Sequence, residues 1–306
     1  MFQFACPLGY HTHTTADILS RVKHENIITL HGVASGPLLS SMKSSQWGYF
    51  LLLDILKDTL YDRLHHWRQT STMQALSGRG RTSTAEVMKR LQLAGVGVAK
   101  GMKHLHTKNI LLRDLKPENI GFDCNGTPKL FDFGFAREAH MIKSNEVAGS
   151  PRYMAPETFL GDGLATYSTD VYSFGLVLFE ICTLQHPYNN NKRFAFGKNK
   201  ELSEEDEDDL KFCWEPRVDM LGSRPLRRII SECCAFTPDA RPDFATILDT
   251  LESEVSKYQA RKQLGGSSFT GKLGRTNSLK RGLLAVRSKS FQGGRKGRSA
   301  SISEED

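Results

Sequence analysis

The stretch that decides the fold is Leu111-Leu112-Arg113-Asp114-Leu115-Lys116-Pro117-Glu118-Asn119, with Asp132-Phe133-Gly134 beginning thirteen residues beyond Asn119. Between the two pieces, Ile120-Gly121-Phe122 and Lys129-Leu130-Phe131 read as short strands. They are joined by Asp123-Cys124-Asn125-Gly126-Thr127, and Asn-Gly is the strongest short hairpin signal because both residues tolerate positive φ. A hairpin folds back on itself, so Asn119 before it and Asp132 after it come to lie side by side. An amide oxygen and a carboxylate in that position suit Mg2+, a hard cation that shares its shell with phosphate oxygens. A lone Arg-Asp or a lone Asp-Phe-Gly is most often a surface feature. Both at hairpin spacing point to phosphoryl transfer.

Further motifs follow in order. Gly149-Ser150-Pro151-Arg152-Tyr153-Met154 leads into Ala155-Pro156-Glu157. Asp170 then opens Val171-Tyr172-Ser173-Phe174-Gly175-Leu176-Val177-Leu178-Phe179-Glu180-Ile181, apolar nearly all round, as a helix buried inside a large lobe is. Arg241-Pro242 closes the series. The set resembles the eukaryotic-type protein kinases over about residues 16 to 256. That resemblance implies an α+β, protein-kinase-like fold with a mostly helical C-lobe and an incomplete N-lobe sheet.

By that resemblance Asp114 accepts the proton of a substrate hydroxyl, Lys116 steadies the transferring phosphate, and Asn119 and Asp132 hold Mg2+ beside ATP. Lys116, two residues after Asp114, and Ser150 after Gly149 fit the Ser/Thr class of acceptor in protein substrates. The Asp170 and Arg241 segments look most like the tyrosine-kinase-like group. Asp170 caps the catalytic loop, and Arg241 pairs with Glu157, since buried charges need partners. Leu53 is expected as gatekeeper, with the backbone from Asp54 to Leu56 meeting adenine. Arg113 in this family greets a phosphate on the activation segment. Glu146 stands close to that position and can imitate part of its charge, with Ser144 as the nearby phosphosite. Leu112 replaces a usual histidine and keeps an apolar spine with Leu19, Leu30 and Phe133.

The family's glycine-rich loop and strand lysine are not found before the catalytic loop. Ala16 to Ile28 resembles the end of the regulatory helix and the strand after it, and Thr15 stands where the helix glutamate would be. Two explanations compete: an incomplete N-terminus, or a degraded kinase serving as a binding scaffold. The intact Asp114, Asn119 and Asp132 favour the first. Either way, residues 16 to 60 are expected to be loosely held, with a bare sheet edge. The expected organisation is an atypical segment at 1–15, the kinase domain at 16–256 and a disordered tail at 257–306.

That tail explains the charge. The chain carries +7, but residues 257–306 hold twelve Lys/Arg against three Asp/Glu, which leaves −2 on the rest. A nucleic-acid-binding core is therefore not implied. Arg275 to Ser278, Arg287 to Ser290 and Arg298 to Ser301 look like targets of basic-directed kinases, or else form a solubilising tail. Glu201 to Asp209 is a run of acids, read as a solvated loop or as a dock for basic substrates. The six cysteines form no CxxC pair, as in a reduced cytoplasmic protein. No membrane segment is expected, and the basic tail offers a route to the nucleus.

Elsewhere, Trp47 to Leu53 reads as a strand, Leu60 to Trp67 as a short helix, and 68–82 as an inserted loop. Ser83-Thr84-Ala85-Glu86 is a capping box. It opens a helix with Val87, Leu91, Ala94, Val98, Met102 and Leu105 on one face.

Overall fold

The computed structural model describes residues 3–4, 10–37, 47–74, 83–143, 146–160, 164–188 and 216–266. Strand β1 (Gln3–Phe4) precedes helix α1 (Tyr10–Arg21), then β2 (Leu30–Pro37) and β3 (Trp47–Leu53). The three strands form an antiparallel sheet in the order β1-β3-β2, with Gln3 opposite Leu53 and Leu30 also opposite Leu53 on the other side. The edge of β3 expected to be bare is thus paired, over two residues, by β1. Helix α1 begins at Tyr10, six residues ahead of the first element legible in the sequence.

Strand β4 (Asp58–Thr59) leads into α2, which runs Leu60–Gln74. The expected short helix is therefore longer, and residues 68–74 belong to it rather than to a loop. Arg68 is the reason on its buried side: it donates to Leu184 O at 2.8 Å and pairs with Glu180, anchoring the extra turns. Helix α3 (Thr84–Arg90) starts with the predicted capping box. Ser83 Oγ accepts from Glu86 N at 3.2 Å, and Glu86 Oε2 accepts from Ser83 N at 3.0 Å. One π turn (Leu91–Gly95) joins it to α4 (Val96–Thr107). The predicted apolar face is buried throughout, from Val87 to Leu105.

Strand β5 (Ile110–Leu111) precedes the catalytic loop. The hairpin follows as β6 (Ile120–Phe122) and β7 (Pro128–Leu130), with Ile120 opposite Leu130. The second strand thus sits one residue earlier than Lys129–Phe131. The turn also differs in mechanism: Gly126 takes positive φ, at 82°, and Asn125 does not. Asp123 shapes the loop instead, its Oδ1 accepting from the N–H groups of Asn125 and Thr127 at 2.9 Å each. Then come β8 (Arg137–Glu138), pairing β5, and helices α5 (Pro156–Phe159), α6 (Tyr167–Thr183), α7 (Arg224–Cys233) and α8 (Phe244–Gly266). Of α6, all residues from Thr169 to Cys182 are buried, as its all-round apolar sequence requires. The chain divides into one compact unit, Met1–Gly265, and a second, Gly266–Asp306.

The expectation that residues 16 to 60 are loosely held is wrong for the start of that stretch. Ile18, Leu19, Val22, Ile27 and Ile28 are buried in the same core as α4 and α6. The loop after α1 is fastened to β7 by backbone: Ile28 N donates to Leu130 O, and Leu130 N to Asn26 O, both at 2.9 Å. Asn26 Nδ2 adds a bond to Pro128 O at 2.9 Å. Helix α4 lets the loop approach because Gly97 and Gly101 face it; a Cβ at 101 would lie 2.9 Å from Asn26 O.

Candidate active site

Asp170, 1% exposed at the start of α6, organises the catalytic loop. Its two oxygens accept from the backbone N–H of Leu112 at 2.9 Å and of Arg113 at 2.8 Å. His106 Nε2 shares Oδ2 at 3.0 Å. These bonds hold Arg113 at φ 66°, a left-handed conformation that costs a non-glycine residue about 1–2 kcal/mol. That turn presents Asp114 to the site. The bond from His106 has no counterpart in the sequence reading, because a histidine on a helix carries no signal of its partner.

Four side chains converge after the turn. Asp114 Oδ2 accepts from Lys116 Nζ at 2.8 Å and from Asn119 Nδ2 at 2.9 Å. Lys116 Nζ also donates to Ser150 Oγ at 2.8 Å. Asn119 Nδ2 further donates to Asp114 O at 2.9 Å, locking the loop on itself. Asp114 is buried, yet its Oδ1 has no hydrogen-bond partner among the described residues. Ser150 reaches the site because Gly149 sits at φ 111° against the catalytic loop; a Cβ there would lie 2.4 Å from Arg113 O.

The hairpin delivers the second carboxylate as expected. Phe131 N donates to Asn119 O at 3.1 Å, so the strand carrying Asp132 lies against Asn119. Asp132 is exposed, at φ 60°, and Oδ1 accepts from Gly134 N at 3.3 Å. Phe133 behind it is buried with Leu112 and Leu19 in one core, and Leu30 packs on the same core. The amide nitrogen of Asn119 is committed to Asp114, which turns its oxygen the other way. One amide oxygen and one exposed carboxylate fit a divalent cation that completes its shell with water and phosphate. No cluster of three or more His, Cys, Asp or Glu able to hold a metal by itself occurs among the described residues.

Around this centre, Arg113 Nη2 pairs with Glu146 Oε1 at 2.9 Å, and Arg137 lies 4.0 Å from the same oxygen. The hydrogen bond from Arg113 holds the Glu146 carboxyl below the usual glutamate range. Ser144 lies outside the described residues. Arg241, with its side chain fully buried, grips Glu157 through two bonds of 2.7 and 2.8 Å and donates to the carbonyls of Ser168, Ala235 and Phe236. The pairing expected from sequence is therefore in place.

At the expected adenine edge, Asp54 gives its N–H to Thr29 O at 3.3 Å. Its side chain pairs with His31 at 2.8 Å and Lys129 at 3.3 Å. Burial would raise this carboxyl, but those bonds, with the Thr29 N–H, outweigh it and hold it low. Leu56 lies over Gly121 of β6, where a Cβ would be 2.3 Å from its Cδ1. One further buried acid lies below the site. Glu180 is the one acid in the apolar run of α6 that follows Asp170, and it is buried between Arg68 and Tyr153 OH, both at 2.5 Å. Tyr153 in turn holds Ser150, since its N–H donates to Ser150 O at 2.9 Å.

A catalytic-loop carboxylate, a hairpin-borne carboxylate and a buried Arg–Glu clamp under a large helical core define a phosphotransferase fold of the protein kinase type. A model of the protein kinase domain matches residues 10–251. Similar proteins include the serine/threonine-protein kinase CTR1 of Arabidopsis thaliana, 33% identical over 238 residues, covering 76% of this chain and 25% of that protein. The mitogen-activated protein kinase kinase kinase zak-1 of Caenorhabditis elegans is 28% identical over 241 residues, covering 77% of this chain and 29% of its own length. Human serine/threonine-protein kinase Nek5 is 34% identical over 170 residues, 53% of this chain and 22% of that protein. The chain belongs to the protein kinase family. It spans about a quarter of the length of these relatives.

Proposed function

We propose that this chain is the catalytic region of a protein serine/threonine kinase that uses ATP and Mg2+. The observation that carries this is Lys116 Nζ standing between Asp114 and Ser150, 2.8 Å from each. Asp114 takes the proton of the acceptor hydroxyl through its unpartnered Oδ1. Lys116 moves its positive charge toward the transferring group while Ser150 keeps the acceptor segment against the catalytic loop. Asn119 and Asp132 hold the cation. A divalent cation held there would offset the charge of the nucleotide phosphates. The backbone from Asp54 to Leu56 provides the adenine edge. Arg113 and Glu146 hold the segment in place without a phosphate, and Ser144 is the alternative site for one. A kinase domain over 16–256, an atypical segment at 1–15 and a basic tail at 257–306 go with this reading. So do protein substrates, a cytoplasmic location and a tail that basic-directed kinases modify. No helix among the described residues is long and apolar enough to cross a membrane.

The test is a thermal shift with ATP and Mg2+ on the full chain, followed by phosphate transfer to generic Ser/Thr substrates. We expect clear stabilisation that Asp132→Asn abolishes. Asp114→Asn is expected to keep the stabilisation and slow transfer by about 10²–10⁴-fold, the usual loss of a general base. A shift unaffected by Asp132→Asn, or transfer unaffected by Asp114→Asn, would overturn the assignment.

A further inference from the structure

Two histidines at the junction of the α1–β2 loop with α4 have no part in the site above. The ring of His24 stacks on that of His104, with centroids 4.9 Å apart and planes inclined by 27°. Both residues are partly buried. His24 Nδ1 accepts the N–H of Asn26 at 3.0 Å, which puts the proton of a neutral ring on Nε2. His104 Nε2 is buried without a hydrogen-bond partner among the described residues. Asn26, which His24 thereby orients, is the residue that fastens the loop to β7.

The charges that face the pair are mostly of one sign. Lys100 of α4 and Lys129 of β7 oppose a proton on His24, and Lys108 after α4 opposes one on His104. Glu25 is the one carboxylate acting on His24 in the other sense. Lys100 and Lys129 are partly offset by their own partners, Glu252 at 3.2 Å and Asp54 at 3.3 Å. Burial comes first among the causes that hold both rings below the usual histidine range, and for His24 the facing ring of His104 comes next.

We propose that the His24–His104 stack is a pH-sensitive clasp, which fastens the α1–β2 loop to α4 while both imidazoles are neutral and releases it as they take up protons. Neutral rings stack and exclude water; two imidazolium rings in that geometry repel, and His104 would carry a buried charge with no acceptor. The sign follows from linkage. A histidine whose value is lowered in the closed form binds more protons when the joint opens. The clasp is therefore intact above the free-histidine value of about 6.5 and weakens as pH falls below it, towards the lowered values of the closed form. This holds whether or not the chain transfers phosphate.

The experiment is amide hydrogen exchange on the full chain at pH 7.5 and pH 5.5, corrected for intrinsic rates. The reporters are Ile28 and Leu130, whose N–H groups make the loop-to-β7 bonds. We expect roughly tenfold more opening at the lower pH, with amides inside α6 unchanged. His104→Phe keeps an aromatic stack without a titrating group and should flatten the dependence to within about twofold. Equal pH dependence in both proteins, or none in the unmodified chain, would overturn the proposal. If His104→Phe does not fold, the imidazole titrations decide by NMR. Midpoints for both rings clearly below the free value support the clasp, and a midpoint at or above it for either ring sinks it.

Discussion

Gly149 and Gly126 both take positive φ, but only one is pressed against its surroundings. A Cβ at 126 meets nothing within 4 Å, whereas one at 149 meets Arg113 O at 2.4 Å. Gly126→Ala should therefore cost about 1 kcal/mol by urea unfolding, the conformational term alone. Gly149→Ala should cost more and also lower phosphate transfer, because Ser150 and the catalytic loop must separate. Equal costs would show that the close approach is unimportant. Glu146 gives a pH arm. Its value is lowered in the folded protein, so its contribution is present above the ordinary glutamate range and is lost as pH falls through the folded value. The acid limb of the stability profile should be shallower in Glu146→Gln, and an unchanged limb would remove the Arg113 pairing as a source of stability. At this scale the sequence is legible where a motif sets which residues meet, as for Asp114 with Asn119 and Glu157 with Arg241. His106 and Arg68 were opaque, because their partners Asp170 and Glu180 lie 64 and 112 residues away.

Helices and strands were legible where pattern and cap agree. Ser83 and Glu86 announce α3, and the apolar positions through Leu105 stay buried across the π turn. The hairpin was placed within a residue. The length of α2 is hidden because residues 68–74 are polar but for Met73, and what keeps them helical is tertiary, the pairing of Arg68 with α6. The seating of the loop after α1 is hidden for a similar reason: glycines on α4 make room for Asn26. Gly97→Ala tests this element. In an exposed helix that change gains about 1 kcal/mol. Here the new Cβ would lie 2.4 Å from Pro128 Cγ and 2.9 Å from Asn26 Nδ2, and overpacking of that kind typically costs about 1–3 kcal/mol. The net change should be destabilising, with faster exchange at Leu130. A stabilised variant would mean the loop yields easily.

Across the whole molecule, burial decides thiol chemistry. Cys182, Cys233 and Cys234 are buried, and burial pushes the Cys182 thiol up to about 12 and raises that of Cys233. Cys124, in the hairpin turn, is exposed. Of these four, Cys124 alone should react quickly with a thiol reagent in the native chain, the others only on unfolding. Fast labelling of Cys182 would mean that the α6 core opens readily. The bridge between Ile27 and Leu130 carries a consequence for biosynthesis. Asn26 and Pro128 are 102 residues apart, so at about 5–20 residues per second the ribosome needs some 5–20 s to supply the partner after the loop is made. Throughout that interval Ile18, Leu19, Val22, Ile27 and Ile28 wait without their core. A nascent chain arrested before residue 128 should thus be a substrate for hydrophobic-segment chaperones, and one that has fully emerged past β7 should be released by them.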